Sequence, residues 1–120
     1  MEDYKTTLRC LALRDDRYIA SLLADERESA TRSGLDPCSH ALVRVGALIA
    51  VDAAPPSYMN AIEAAGEAGV THEEIVGALI AVLPVVGVAR VVSAAPSLGL
   101  AIGYDVGEAL ERLEPERPRP

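Results

Sequence analysis

Between Ile75 and Tyr104 the chain runs for thirty residues, IVGALIAVLPVVGVARVVSAAPSLGLAIGY, with Arg90 as the single charge. A stretch of this kind must face lipid or other protein, and its arginine must answer to a partner. Lipid is the poorer solution. A spanning helix wants about 20 unbroken apolar residues with charge confined to its ends. Here Arg90 would lie near mid-bilayer, at about 2.5–3.5 kcal/mol on insertion scales. Pro84 and Pro96 each remove a helix donor and crowd the preceding turn, so breaks are expected at both. The opening segment MEDYKTTLRC is charged and has no apolar h-region, so no secretory signal is expected. The expectation is a cytoplasmic protein with no membrane partner.

At 120 residues the chain has room for one domain, able to bury about two-thirds of its extended surface. Its net charge of −7, with Lys5 the only lysine, argues against a nucleic-acid surface, which needs clustered basic residues. Cys10 and Cys38 are far apart and lack CxxC or Cys/His spacing. Two free thiols are expected, with no metal site and no cofactor.

Helix punctuation divides the chain. Asp3 can cap a helix through Leu13, and Asp16 a second from Arg17 to about Ser33, closed by Gly34. Leu35-Asp36-Pro37 places an Asp N-cap before Pro at the first helical position. The helix it opens is apolar nearly all round except at His40 and Arg44. Pro55-Pro56 start a shorter helix ending near Gly69, and Thr71-His72-Glu73-Glu74 reads as a capping box. Asp105 to Glu108 opens a terminal helix to about Leu113, followed by the charged, Pro-rich tail EPERPRP, expected to be disordered. No run alternates with the period of a strand. These signals predict an all-α multi-helix bundle of six or seven helices. Residues 1–34 form an N-terminal helical arm, 35–113 the core and 114–120 the tail. Helices apolar on every side exceed what one small monomer can cover. A homo-oligomer is expected, its interface built by the stretch after Thr71.

The order Leu35-Asp36-Pro37, then ALVRVGALIAV, then AIEAAGEAGVTHEEIVGAL, then Gly87, resembles the carboxymuconolactone decarboxylase family. That family includes the thiol peroxidases related to alkyl hydroperoxidase D. The resemblance covers about residues 35–95 and is most specific at Gly69–Ile75. It implies a helical bundle assembled as a trimer or hexamer, and predicts fold better than chemistry. Carried across from the peroxidases, the Cys-x-x-Cys-x-x-x-His positions fall at Ala54, Ser57 and Ala61. Without that thiolate, resolving cysteine and proton relay, thiol peroxidase activity is not expected. The decarboxylase histidine also falls at Ala61, and its Tyr-x-Gly-x-Pro run is replaced by Val85-Val86-Gly87-Val88-Ala89. The resemblance is therefore to a divergent member.

The remaining polar residues offer a reduced set of site candidates. Decarboxylation needs a cation to hold a carboxylate and an acid to protonate the developing enolate. Arg90 is the candidate anion clamp, and otherwise a structural ion pair to Asp52, Glu63 or a neighbouring subunit. Tyr58, one residue past the second cysteine position, and Glu63 can line the same cleft. Arg44 lies four residues after His40 on one helical face and can add a second cation. His40 beside Cys38 suggests a Cys–His nucleophile, but residues two apart on a helix diverge. His72 reads as a surface residue in the first turn of its helix. Three functions stay open: a lyase or decarboxylase acting on a carboxylate in an interface pocket; a non-catalytic oligomer that binds a small acidic or apolar metabolite or serves as a structural partner; and, least supported, a peroxidase using Cys38 with His40.

Overall fold

The computed structural model describes residues 3–113, so the expected disordered tail lies outside the described residues. All regular structure among them is helical, in eight helices: α1 (Tyr4–Ala12), α2 (Asp16–Leu23), α3 (Glu26–Ser33), α4 (Pro37–Ala50), α5 (Pro55–Glu67), α6 (His72–Val86), α7 (Val88–Ala101) and α8 (Val106–Leu113). No helix among the described residues is long and apolar enough to cross a membrane.

Three expectations need correction. The single helix expected from Arg17 to Ser33 is two helices, because the Asp25 carboxylate accepts from the Glu28 amide and caps a new start after Leu23. This supplies an eighth helix beyond the six or seven expected. The apolar stretch breaks at Gly87 and not at its prolines. Gly87 has φ +90°, a conformation that glycine adopts without penalty, and it separates α6 from α7. Pro84 and Pro96 both lie inside helices. Pro84 falls in the last turn of α6, where only two helical residues follow it and the bond lost is the one its missing N–H would give the Ile80 carbonyl. The start of α2 is also shifted by one: Asp15, not Asp16, is its N-cap and accepts from the Tyr18 amide. The caps at Asp3, Asp36 and Asp105 form as read, as does the full Thr71–Glu74 box, whose two bonds are 3.1 and 2.9 Å.

The chain forms two compact units, Met1–His40 and Ala41–Pro120, with α4 starting in the first and continuing into the second. In the first unit α1 packs on α2 and α2 on α3, yet none of these helices contains a buried residue. Polar contacts tie them instead. The Tyr18 hydroxyl lies 3.2 Å from that of Thr7, and the Arg32 guanidinium sits 4.8 Å from the Tyr18 ring and donates to Ser21 Oγ at 2.7 Å.

The second unit has an apolar core. Ala41, Val45 and Ile49 come from one stripe of α4, Tyr58, Ile62 and Ala65 from one stripe of α5, and Ala94 and Leu98 from α7, with Val70 and Ile75. Each set recurs at three- or four-residue spacing, which aims it at one side of its helix. Helix α7 is central, packing on α5, α6 and α8. Gly99 allows the closest approach: a Cβ there would sit 2.8 Å from the Tyr104 carbonyl oxygen.

Candidate functional site

The second unit draws several of its polar groups together where α4 ends. The last turn of α4 closes with a six-residue loop: the Ala53 amide donates to the Leu48 carbonyl and the Asp52 amide to the Ile49 carbonyl. This closure requires a left-handed residue after the cap, usually glycine. Here it is Asp52, at φ +55°. Aspartate is among the few non-glycine residues that visit this region, because its short polar side chain can bond locally. The helix α5 ends the same way with Gly69, at φ +86°.

The twist presents the Asp52 carboxylate to α7. Oδ1 accepts a hydrogen bond from Ser93 Oγ at 2.8 Å, and Oδ2 lies 3.5 Å from Arg90 Nη1. The Asp52 and Arg90 side chains are 46% and 49% exposed. An ion pair this open to solvent contributes about 0–1 kcal/mol. Ser93 and Arg90 are three residues apart on one side of α7, so both reach the same carboxylate.

Tyr58 completes the group from α5. It is 1% exposed, and its hydroxyl donates to the Leu48 carbonyl at 3.2 Å, the carbonyl that also closes the α4 turn. Burial raises the phenol's pKa above its ordinary value, and the negative charge of Asp52 raises it further. Tyr58 is thus held as a neutral donor.

Two of the sequence candidates answer to one carboxylate. Arg90 meets Asp52, one of its three anticipated partners, and Tyr58 feels the same carboxylate. Glu63 is exposed on α5 and joins no ion pair among the described residues. His40 is half-buried in the first unit, two positions after half-buried Cys38 on α4. Arg44 is exposed farther along the same helix, and Cys10 and Cys38 form no disulfide among the described residues. No group of three or more metal-capable side chains occurs among the described residues. Sequence reasoning missed Ser93, whose only signal was its three-residue spacing from Arg90, and the left-handed turn at Asp52.

A different surface feature lies on α6. Fifteen residues long and carrying only His72, Glu73 and Glu74 as charged or titratable groups, this helix buries Ile75 alone. Val76, Ile80 and Leu83 are exposed along one stripe, and Val85 and Val88 are exposed on either side of Gly87. His72, Glu73, Val76, Gly77 and Ile80 line an open hollow of about 320 Å³. At Gly77, one of its lining residues, a Cβ would meet nothing within 4 Å.

Comparison with known proteins returned no match, whether to a family model, a curated protein or a solved structure.

Proposed function

We propose that this chain is a self-associating helical protein whose working surface is the exposed face of α6, and that its role is binding or structural rather than catalytic. The observation that carries this reading is the mismatch between composition and burial in α6. A helix with an almost entirely apolar sequence is ordinarily covered, yet here only Ile75 is fully buried, while Leu79, Val82 and Val86 are half-buried and Val76, Ile80, Leu83 and Val85 are exposed. Contiguous exposed apolar patches mark association sites. A homo-oligomer also suits the first unit, which buries no residue in its three helices.

The polar cluster supports a structural role for Arg90. Its partner Asp52 is supplied by the chain itself, and Asp52 is also held by Ser93. A second reading rests on one observation: Arg90 is half-exposed, so part of its guanidinium fork stays open to an incoming anion. On that reading the protein is a decarboxylase-like lyase, as the carboxymuconolactone decarboxylase resemblance implies. Arg90 then holds a small acidic substrate. Thiol peroxidase chemistry stays outside both readings.

Sedimentation of the purified chain tests the first reading: association that rises with protein concentration is expected, and a monomer at high micromolar concentration would overturn it. Arg90→Ala separates the two readings. Loss of small-acid binding with the oligomer intact would favour the lyase, whereas the first reading expects no such binding by the parent chain.

A further inference from the structure

The segment spanning α1, α2 and α3 carries enough leucine for a small apolar core and does not build one. Leu8, Leu11, Leu13 and Leu23 are exposed, and none of the three helices contains a fully buried residue. What the segment covers instead is a polar cluster: Thr7, Tyr18, Ser21, Glu28 and Arg32 are all half-buried, and contacts join all five. Arg32 is its hub, with a side chain only 20% exposed. Its Nη1 donates to Ser21 Oγ of α2 at 2.7 Å and lies 3.7 Å from Glu28 Oε1 of its own helix. Its guanidinium lies 4.8 Å from the Tyr18 ring. The Ser21 hydroxyl donates onward to the Tyr18 carbonyl at 2.6 Å, and the Tyr18 hydroxyl donates to Thr7 Oγ1 of α1 at 3.2 Å. One guanidinium on α3 thus reaches α2 directly and α1 through Tyr18.

We infer that α1, α2 and α3 are a latched element that opens and closes as one piece, with Arg32 as the latch, while the apolar core of the second unit stays folded. With little apolar surface taken fully out of water, the three helices draw little from the hydrophobic effect, yet fixing their backbone costs as much entropy per residue as anywhere else. Their closed state therefore depends on the polar cluster. Such a cluster holds as a whole or not at all. A guanidinium cannot shed its charge, so one that loses its partners is left as a half-covered cation. The second unit has its own source of stability in the buried stripes of α4, α5 and α7. Regions with few buried apolar contacts open at lower free energy than such a core, which makes the two events separable. The joint between α3 and α4 suits a hinge. Gly34 has φ +70°, and a Cβ there would meet nothing within 4 Å, so this residue can absorb a change of φ and ψ.

Hydrogen exchange of the full chain under native conditions, followed by mass spectrometry, tests the latch. Peptides from α1, α2 and α3 should exchange together, and faster than those holding Ile49, Ile62 and Leu98. Arg32→Ala should speed exchange in all three helices by roughly 10- to 100-fold, as for loss of a hydrogen bond to a charged group. The second unit's peptides should keep the parent's rates. Arg32→Lys keeps the charge without the planar fork and should fall between the two. Arg27→Ala removes an arginine from an exposed position of the same helix and should match the parent. Acceleration confined to α3, or an equal effect from Arg27→Ala, would overturn the latch. So would a parent whose α1–α3 amides are as protected as the second unit's core. Acceleration in both units alike, or loss of the whole fold in Arg32→Ala, would overturn the separate opening.

Discussion

The left-handed Asp52 gives a prediction in which two effects of one side chain can be measured apart. Asp52→Ala removes the 2.8 Å hydrogen bond from Ser93 and the 3.5 Å approach of Arg90, and leaves a Cβ at φ +55° without local bonding. The hydrogen bond accounts for about 1 kcal/mol. The ion pair, nearly half-exposed on both sides, contributes at most about 0.5 kcal/mol after solvent screening. An alanine held left-handed costs about 1 kcal/mol more than aspartate's tolerated state. The sum is a loss of about 2–3 kcal/mol. Asp52→Gly loses the same contacts but adopts the turn freely, so it should lose only about 1.5 kcal/mol. Urea unfolding of the two variants isolates the backbone contribution, with glycine the more stable by about 1 kcal/mol. Equal stabilities would refute the claim that the positive φ closes α4, and a more stable alanine variant would reverse it.

Other positions carry independent expectations. Gly99→Ala should lower stability by about 1–2 kcal/mol, since the new Cβ would lie 2.8 Å from the Tyr104 carbonyl oxygen and 3.0 Å from Val106, outweighing the helix preference for alanine. Gly66→Ala, in open space on α5, should instead gain about 0.5–1 kcal/mol, and thermal melts of the pair give opposite signs. Tyr58→Phe should lose about 0.5–1 kcal/mol, the low end because the Leu48 carbonyl keeps its bond from the Ala53 amide. The raised Tyr58 pKa makes stability fall as pH rises above 10.0, since the unfolded chain ionises this phenol first. Denaturant midpoints of Tyr58→Phe should show less of that fall. At the acid end, the Ser39 amide and hydroxyl hold the Asp36 carboxyl below its ordinary 3.8. Its stabilisation of the α4 start is present above that value and lost as pH drops through the lowered one, a loss that Asp36→Asn should remove from the pH profile.

What the sequence made legible was local chemistry. Asp3, Asp36, Thr71 with Glu74, and Asp105 each announce a helix start because a short polar side chain satisfies amides within three residues. The split at Asp25 was harder to read, since Glu26, Arg27 and Glu28 fit the solvent face of one long helix equally well. Prolines misled for a related reason: Pro84 needs only one carbonyl left without its donor, whereas Gly87 supplies a conformation that no neighbour can. The Arg90–Asp52 contact was anticipated among three pairings. Its choice depended on a left-handed turn in VDAAPP, where no glycine marks the turn. The exposure of Glu63 follows from helix phase, which sets it on another face of α5 from the buried Tyr58, Ile62 and Ala65.

The central claim is that α6 is exposed because a second copy covers it, and one change at Ile80 tests this most directly. Ile80 is 69% exposed, so Ile80→Asp leaves the monomer core untouched but places a charge where the interface is driest. Sedimentation velocity across a concentration series should show the parent chain associating and Ile80→Asp remaining monomeric, with equal helicity. An Ile80→Asp chain that associates as the parent does would contradict the account.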